Sequence, residues 1–121
     1  MLHTANYTRH DNIAALLRMW EMAQHDHGGA NVAAKLLLGL YNGARFPFDL
    51  TELRRLDEAA FEDAMLVIRL DSPCLKEVHE ILNDHFGVRN FGNRFEHLAH
   101  AWRLKGRCKK EYLRPIEAQA A

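Results

Sequence analysis

Apolar residues recur along this chain at three- and four-residue intervals, the period that lines one face of an α-helix. The first series runs through Ile13, Leu16, Leu17, Trp20 and Ala23, and predicts a helix capped by Asp11 that closes between His25 and Gly29. Asn31 then opens a second helix with Val32, Leu36, Leu37 and Leu40 inward; Asn42 and Gly43 stop it, the glycine supplying a positive φ. Residues 44–48 form a connector in which Pro47 forbids a helix and Phe46 and Phe48 dock on the core. Asp49 and Glu52 have capping-box spacing, which predicts a short third helix over 50–56. Asp57 caps a fourth over 58–70, with Phe61, Ala64, Met65 and Ile68 inward. Ser72 and Pro73 supply a cap and a first-turn proline, launching a fifth helix through Leu75, Val78 and Leu82 to Phe86 and Gly87. After a loop over 88–92, Asn93 and Glu96 begin a sixth helix with Phe95, Leu98 and Trp102 inward, closing near Gly106. β-branched residues are scarce and nothing predicts a strand. The expected fold class is all-α, a compact bundle or orthogonal array of five to six short helices.

Composition limits what such an array can be. The 121 residues suit a single domain, placed at 1–106, followed by a basic and partly flexible C-terminal tail at 107–121. With 48% hydrophobic and 26% charged residues, the chain has the balance of a folded protein. No apolar run approaches the ~18 residues of a membrane span, and the start lacks the basic and apolar regions of a secretory signal. A cytoplasmic location without membrane contact is therefore expected. Cys74 and Cys108 show no Cys-x-x-Cys spacing and read as reduced thiols. Net charge is zero, yet residues 1–84 carry 8 Lys/Arg against 13 Asp/Glu, and residues 85–114 carry 8 against 2. An acidic body and a basic end point to a charged partner.

Candidate chemistry is sparse. Of the eight histidines, the sets worth testing as metal ligands are His25 with His27, His79 with His85, and His97 with His100. The last pair shares a helix face, but no glutamate follows His97, so the base of a His-Glu-x-x-His site is missing. A third ligand would have to come from Asp84 or His85. Cys74 beside Pro73 occupies a predicted first turn, where the helix dipole favours a thiolate, but His79 lies off its face. The carboxylates between Asp49 and Asp63 are accounted for by caps and solvated faces before acid–base work, and no Gly-rich phosphate loop is present. A helix-turn-helix at 50–70 would carry Glu58, Glu62 and Asp63 toward phosphates, the wrong charge. No catalytic residue, metal or cofactor is expected, and the protein reads as a non-enzyme. Partner contacts are placed on three groups: Arg45; the acidic face of Asp57, Glu58, Glu62 and Asp63; and the basic run Arg103, Lys105, Arg107, Lys109, Lys110 and Arg114. Nucleic acid would bind through residues 103–114 if anywhere. A homodimer could bury Trp20 or Trp102.

The segment from Leu36 to Asp57, LLLGLYNGARFPFDLTELRRLD, continues with Phe61-Glu-Asp, Arg69-Leu-Asp and Glu77-Val-His79. Over roughly residues 12–102 this pattern resembles a family of small uncharacterised bacterial proteins carried on plasmids, integrative elements and prophages. Its most specific part is Tyr41-Asn-Gly-x-Arg-Phe-Pro-Phe-Asp-Leu-Thr. The resemblance implies a mobile-element setting and supplies no catalytic residue. Within that segment helix stops, caps and docking rings explain every position except Arg45, a cation expected to pair with Asp49 or Asp57, or to face a partner. The expected function is therefore an interaction protein of a mobile element that binds an unidentified protein. An inhibitor of a host defence system, of the anti-CRISPR or anti-restriction type, is one concrete form. The alternatives are a nucleic-acid-binding accessory or regulatory protein using the basic end, and a histidine-based metal site.

Overall fold

A computed structural model of the chain describes residues 8–102. Five α-helices and one 3-10 segment pack against one another, and the described residues form no strand, as the apolar periodicity requires. The helices are α1 (Arg9–Ala23), α2 (Gly28–Tyr41), α3 (Glu58–Asp71), α4 (Val78–Phe86) and α5 (Phe91–Ala101); the 3-10 segment is Leu50–Arg55. The sixth helix closes at Ala101 rather than near Gly106.

α2 is the hub, packing against every other element. Ala30, Val32, Ala33, Ala34, Leu36, Leu37 and Leu38 are all buried, so apolar residues cover more than one face. A helix apolar on several sides must lie inside the bundle. α1 and α3 flank it and pack most extensively on each other. Small residues are buried in both helices, Ala15 in α1 and Ala60 and Ala64 in α3. Arg18 grips Asp63 through Nε and a terminal nitrogen (2.9 and 2.8 Å).

Several boundaries differ from the sequence expectation, each for a local reason. Thr8, not Asp11, caps α1: its hydroxyl accepts from Asp11 N (3.1 Å) while the Asp11 carboxylate accepts from Thr8 N (2.8 Å). These reciprocal bonds hold the Asp11 carboxyl below its usual range. α2 opens at Gly28 and not at Asn31, because the His27 ring nitrogen Nδ1 accepts from Ala30 N (3.1 Å). Gly43 takes no positive φ; a Cβ there would lie in tight contact, 3.1 Å, with the Gly39 carbonyl oxygen. The third helix is 3-10, not α. Asp49 does cap it, accepting from Thr51 N (2.9 Å), but Glu52 pairs with Arg55 and Lys35 instead of closing a box.

The α3 face is rotated from the expected one. Ala60, Ala64, Val67 and Leu70 are buried, while Phe61 is 37% exposed. The expected launch of a helix at Ser72-Pro73 fails. Ser72 N is already bonded to Ile68 O (2.9 Å) as the end of α3, and Leu75 is 74% exposed in the turn that follows. α4 starts at Val78, where Glu77 and Glu80 cap each other's backbone. α5 starts at Phe91, two residues before Asn93, because Asn83 Oδ1 of α4 accepts from Phe91 N (2.9 Å). Its first free N–H is satisfied from a neighbouring helix, a tertiary cap that no local pattern carries.

Candidate functional site

Glu96 was expected to cap a helix start, yet it sits mid-α5 with no solvent exposure. Three bonds compensate its charge. Arg45 donates from both terminal nitrogens (2.6 Å to Oε1 and 2.8 Å to Oε2), and the Tyr41 hydroxyl donates to Oε2 (2.8 Å). A buried carboxylate is costly unless it is paired and hydrogen-bonded, and the Arg45 fork with the Tyr41 hydroxyl supplies both. Arg45 thus pairs with neither Asp49 nor Asp57, and its side chain is 17% exposed. Burial, followed by the bond to Glu96, pushes the Tyr41 phenol well above its ordinary value. The ring lies flat on Phe95 (4.9 Å between centroids), and His79 meets it edge-on.

The motif of residues 41–51 therefore has a structural account at each step. Tyr41 ends α2, Asn42 Oδ1 accepts from Arg45 N (3.2 Å), and Phe46 is buried. The connector crosses so close to α2 that a Cβ on Gly39 would meet Phe48 Cβ at 3.2 Å. Asp49 then caps the 3-10 segment.

The acidic residues of α3 divide in two. Asp57 accepts from Ala60 N (2.8 Å) as the α3 cap, and Asp63 is held by Arg18, so both carboxylates serve the fold. Glu58 and Glu62 are exposed. The basic run Arg103, Lys105, Arg107, Lys109, Lys110 and Arg114 lies outside the described residues. Cys74 is exposed in the turn after α3 at φ 49°, not in a helical first turn.

Among the described residues a concavity lies between the C-terminal ends of α1 and α5. It encloses about 820 Å³ and is lined by Trp20, Ala23, Gln24, His25, Asp26, Arg94, His97, Leu98, His100, Ala101 and Trp102. That volume is in the range of ligand clefts, ~300–1,000 Å³. Both tryptophans of the chain line it. Trp20 is fixed edge-on to Phe91 and tilted against Phe95 (both 5.1 Å), and the Trp102 indole donates to Ala23 O (3.2 Å), tying α5 to the end of α1. Arg94 donates from Nε to Asn90 Oδ1 (2.9 Å) and stacks over Phe91 (4.9 Å). It is in no ion pair among the described residues.

His97 and His100 both line the cleft from α5, as their spacing requires, and His25 lines it too. Even so, the described residues contain no group of three His, Cys, Asp or Glu side chains able to hold a metal ion. The proposed third ligands are engaged elsewhere: Asp84 pairs with Lys76, and His85 packs on Phe86. Sequence reasoning missed Glu96, Arg94 and Asp26. Glu96 had a signal, an acid between Phe95 and Leu98 on a helix; Arg94 had one in its place three residues before His97, and Asp26 had none.

Residues 13–103 match the model of a family of unknown function, DUF7673. The chain belongs to that family. The match covers α2 to α5, most of α1, the Tyr41 to Thr51 motif and the whole cleft lining, and leaves out residues 104–121. No curated protein and no solved structure matches the chain. Among the described residues no helix is long and apolar enough to cross a membrane.

Proposed function

We propose that this DUF7673 protein is a non-enzymatic interaction protein that docks another protein in the cleft between α1 and α5. The observation that carries the reading is the cleft itself, an indented wall holding two tryptophans and an arginine with no ion-pair partner among the described residues. Interfaces concentrate their energy in aromatic and arginine side chains of this kind. The mobile-element setting implied by the family resemblance makes an inhibitor of a host defence system, of the anti-CRISPR or anti-restriction type, the concrete form of the proposal. A second reading, nucleic-acid binding, is favoured by the six cations between Arg103 and Arg114.

Affinity capture from the native host lysate, with and without nuclease, separates the two. A protein retained after nuclease treatment and lost in Arg94→Glu supports cleft docking. Capture that nuclease abolishes, together with a gel shift that weakens steeply with salt, transfers the function to the basic segment.

A further inference from the structure

We infer that the cleft between α1 and α5 takes a peptide segment in which an acidic side chain lies beside a large apolar one; this inference rests on the docking reading above. The acidic preference comes from Arg94. Its Nε is committed to Asn90 and its plane is fixed over the Phe91 ring, so the terminal nitrogens are the donors presented to a ligand. Two N–H groups in a rigid fork match a carboxylate, and a pre-fixed fork loses little conformational freedom on binding. His100, exposed on the same helix, adds a ring nitrogen to that wall.

The apolar preference comes from Trp20, Leu98 and Trp102. Both indoles are anchored on one side, Trp20 by aromatic neighbours and Trp102 by its bond to Ala23 O, and both retain part of their surface for a ligand. Asp26 in the cleft lining decides between the classes of macromolecule. Its carboxylate is an acceptor for N–H groups, which a peptide backbone offers along its length and a phosphodiester backbone does not, so the cleft favours a peptide whose acidic side chain reaches Arg94 over a nucleic acid.

The test uses the full chain and a random glutamate–tyrosine copolymer, with emission followed under selective tryptophan excitation. Trp20 and Trp102 are the two tryptophans of the protein and both line the cleft, so emission reports this site. A saturable change in emission is expected, with affinity about tenfold weaker in Arg94→Ala and partly restored in Arg94→Lys, which keeps the charge without the fork. His100→Glu, at an exposed position that does not burden folding, weakens binding as well. Arg69→Ala on the exposed side of α3 leaves it unchanged. Circular dichroism verifies that each variant is folded. The inference is overturned by unchanged emission, by wild-type affinity in both Arg94→Ala and His100→Glu, or by an equal response to polyglutamate or to oligo-dT. If lysate capture returns a nuclease-resistant protein that Arg94→Glu loses, while the copolymer leaves emission unchanged, docking stands and this ligand class falls.

Discussion

Replacing Arg45 by alanine is the sharpest test of why Glu96 can lie inside the bundle. Glu96 has no exposed surface and accepts three short bonds, two of them from Arg45. Arg45→Ala removes the guanidinium fork from the carboxylate while leaving its bond from Tyr41 in place. Breaking a buried ion pair by removing one partner costs about 3–5 kcal/mol. Arg45 is itself 17% exposed, so water can enter part of the vacated space, which favours the lower end, about 3 kcal/mol. For a chain of 121 residues that corresponds to a fall in Tm of about 12 °C, taking ~4 °C per kcal/mol. Thermal and urea denaturation followed by circular dichroism measure it. The sign of the pH dependence is a second check. In the variant, burial without a cation favours the neutral carboxyl, raising its folded-state pKa above the unfolded value, so the lost stability returns as pH falls. Replacing both residues by leucine should recover most of the loss, because no buried charge remains. A cost below about 1 kcal/mol for Arg45→Ala, or a loss that does not shrink on acidification, would refute the claim that the fork neutralises Glu96.

Three further outcomes follow from other sites. The Tyr41 phenol titrates above its ordinary value because of burial and its bond to Glu96, so its contribution is complete below the ordinary tyrosine pKa of about 10 and is lost as pH rises beyond it. Tyr41→Phe should flatten the alkaline fall in Tm between wild type and variant. Asp71 is shifted the opposite way from a capping carboxylate: burial, then Glu77, raises its pKa, which destabilises the fold at neutral pH. Asp71→Asn should be more resistant to urea than wild type at pH 7, with the gain vanishing as acid protonates the native carboxyl. Cys74→Gly should raise stability by up to about 1 kcal/mol, since glycine adopts φ 49° without Cβ strain; an unchanged urea midpoint would show that the turn carries no strain.

The parts of the fold legible in the sequence are those governed by short-range physics. Asp49 and Asp57 were readable as caps because a side chain two or three residues from an unpaired N–H is a local matter. Ser72-Pro73 misled because the same local signal fits a helix start and a helix end, and the bond from Ser72 N to Ile68 O chose the latter. The α3 face was misjudged because Phe61 and Ala60 are adjacent on the helix, and which one is inside depends on how closely α1 approaches. In the candidate site, His97 and His100 were placed on one face by their spacing alone. Arg94, three residues before His97, joins that face by the same spacing, whereas Asp26 could not be paired with them from the sequence, since 68 positions separate it from Arg94 along the chain.

By itself the sequence determined an all-α chain, because a 3.6-residue apolar period and scarce β-branched residues leave no other regular structure able to bury its apolar positions. It also determined which positions of the second helix turn inward, Val32, Leu36 and Leu37 among them, whereas the central place of that helix came from the structure. Only the tertiary structure decided that Arg45 serves Glu96, 51 residues away, and that Trp20 and Trp102, 82 residues apart, share one cleft. Contacts across such separations depend on the angles at which helices pack, and those angles follow from the summed fit of many side chains rather than from any local pattern.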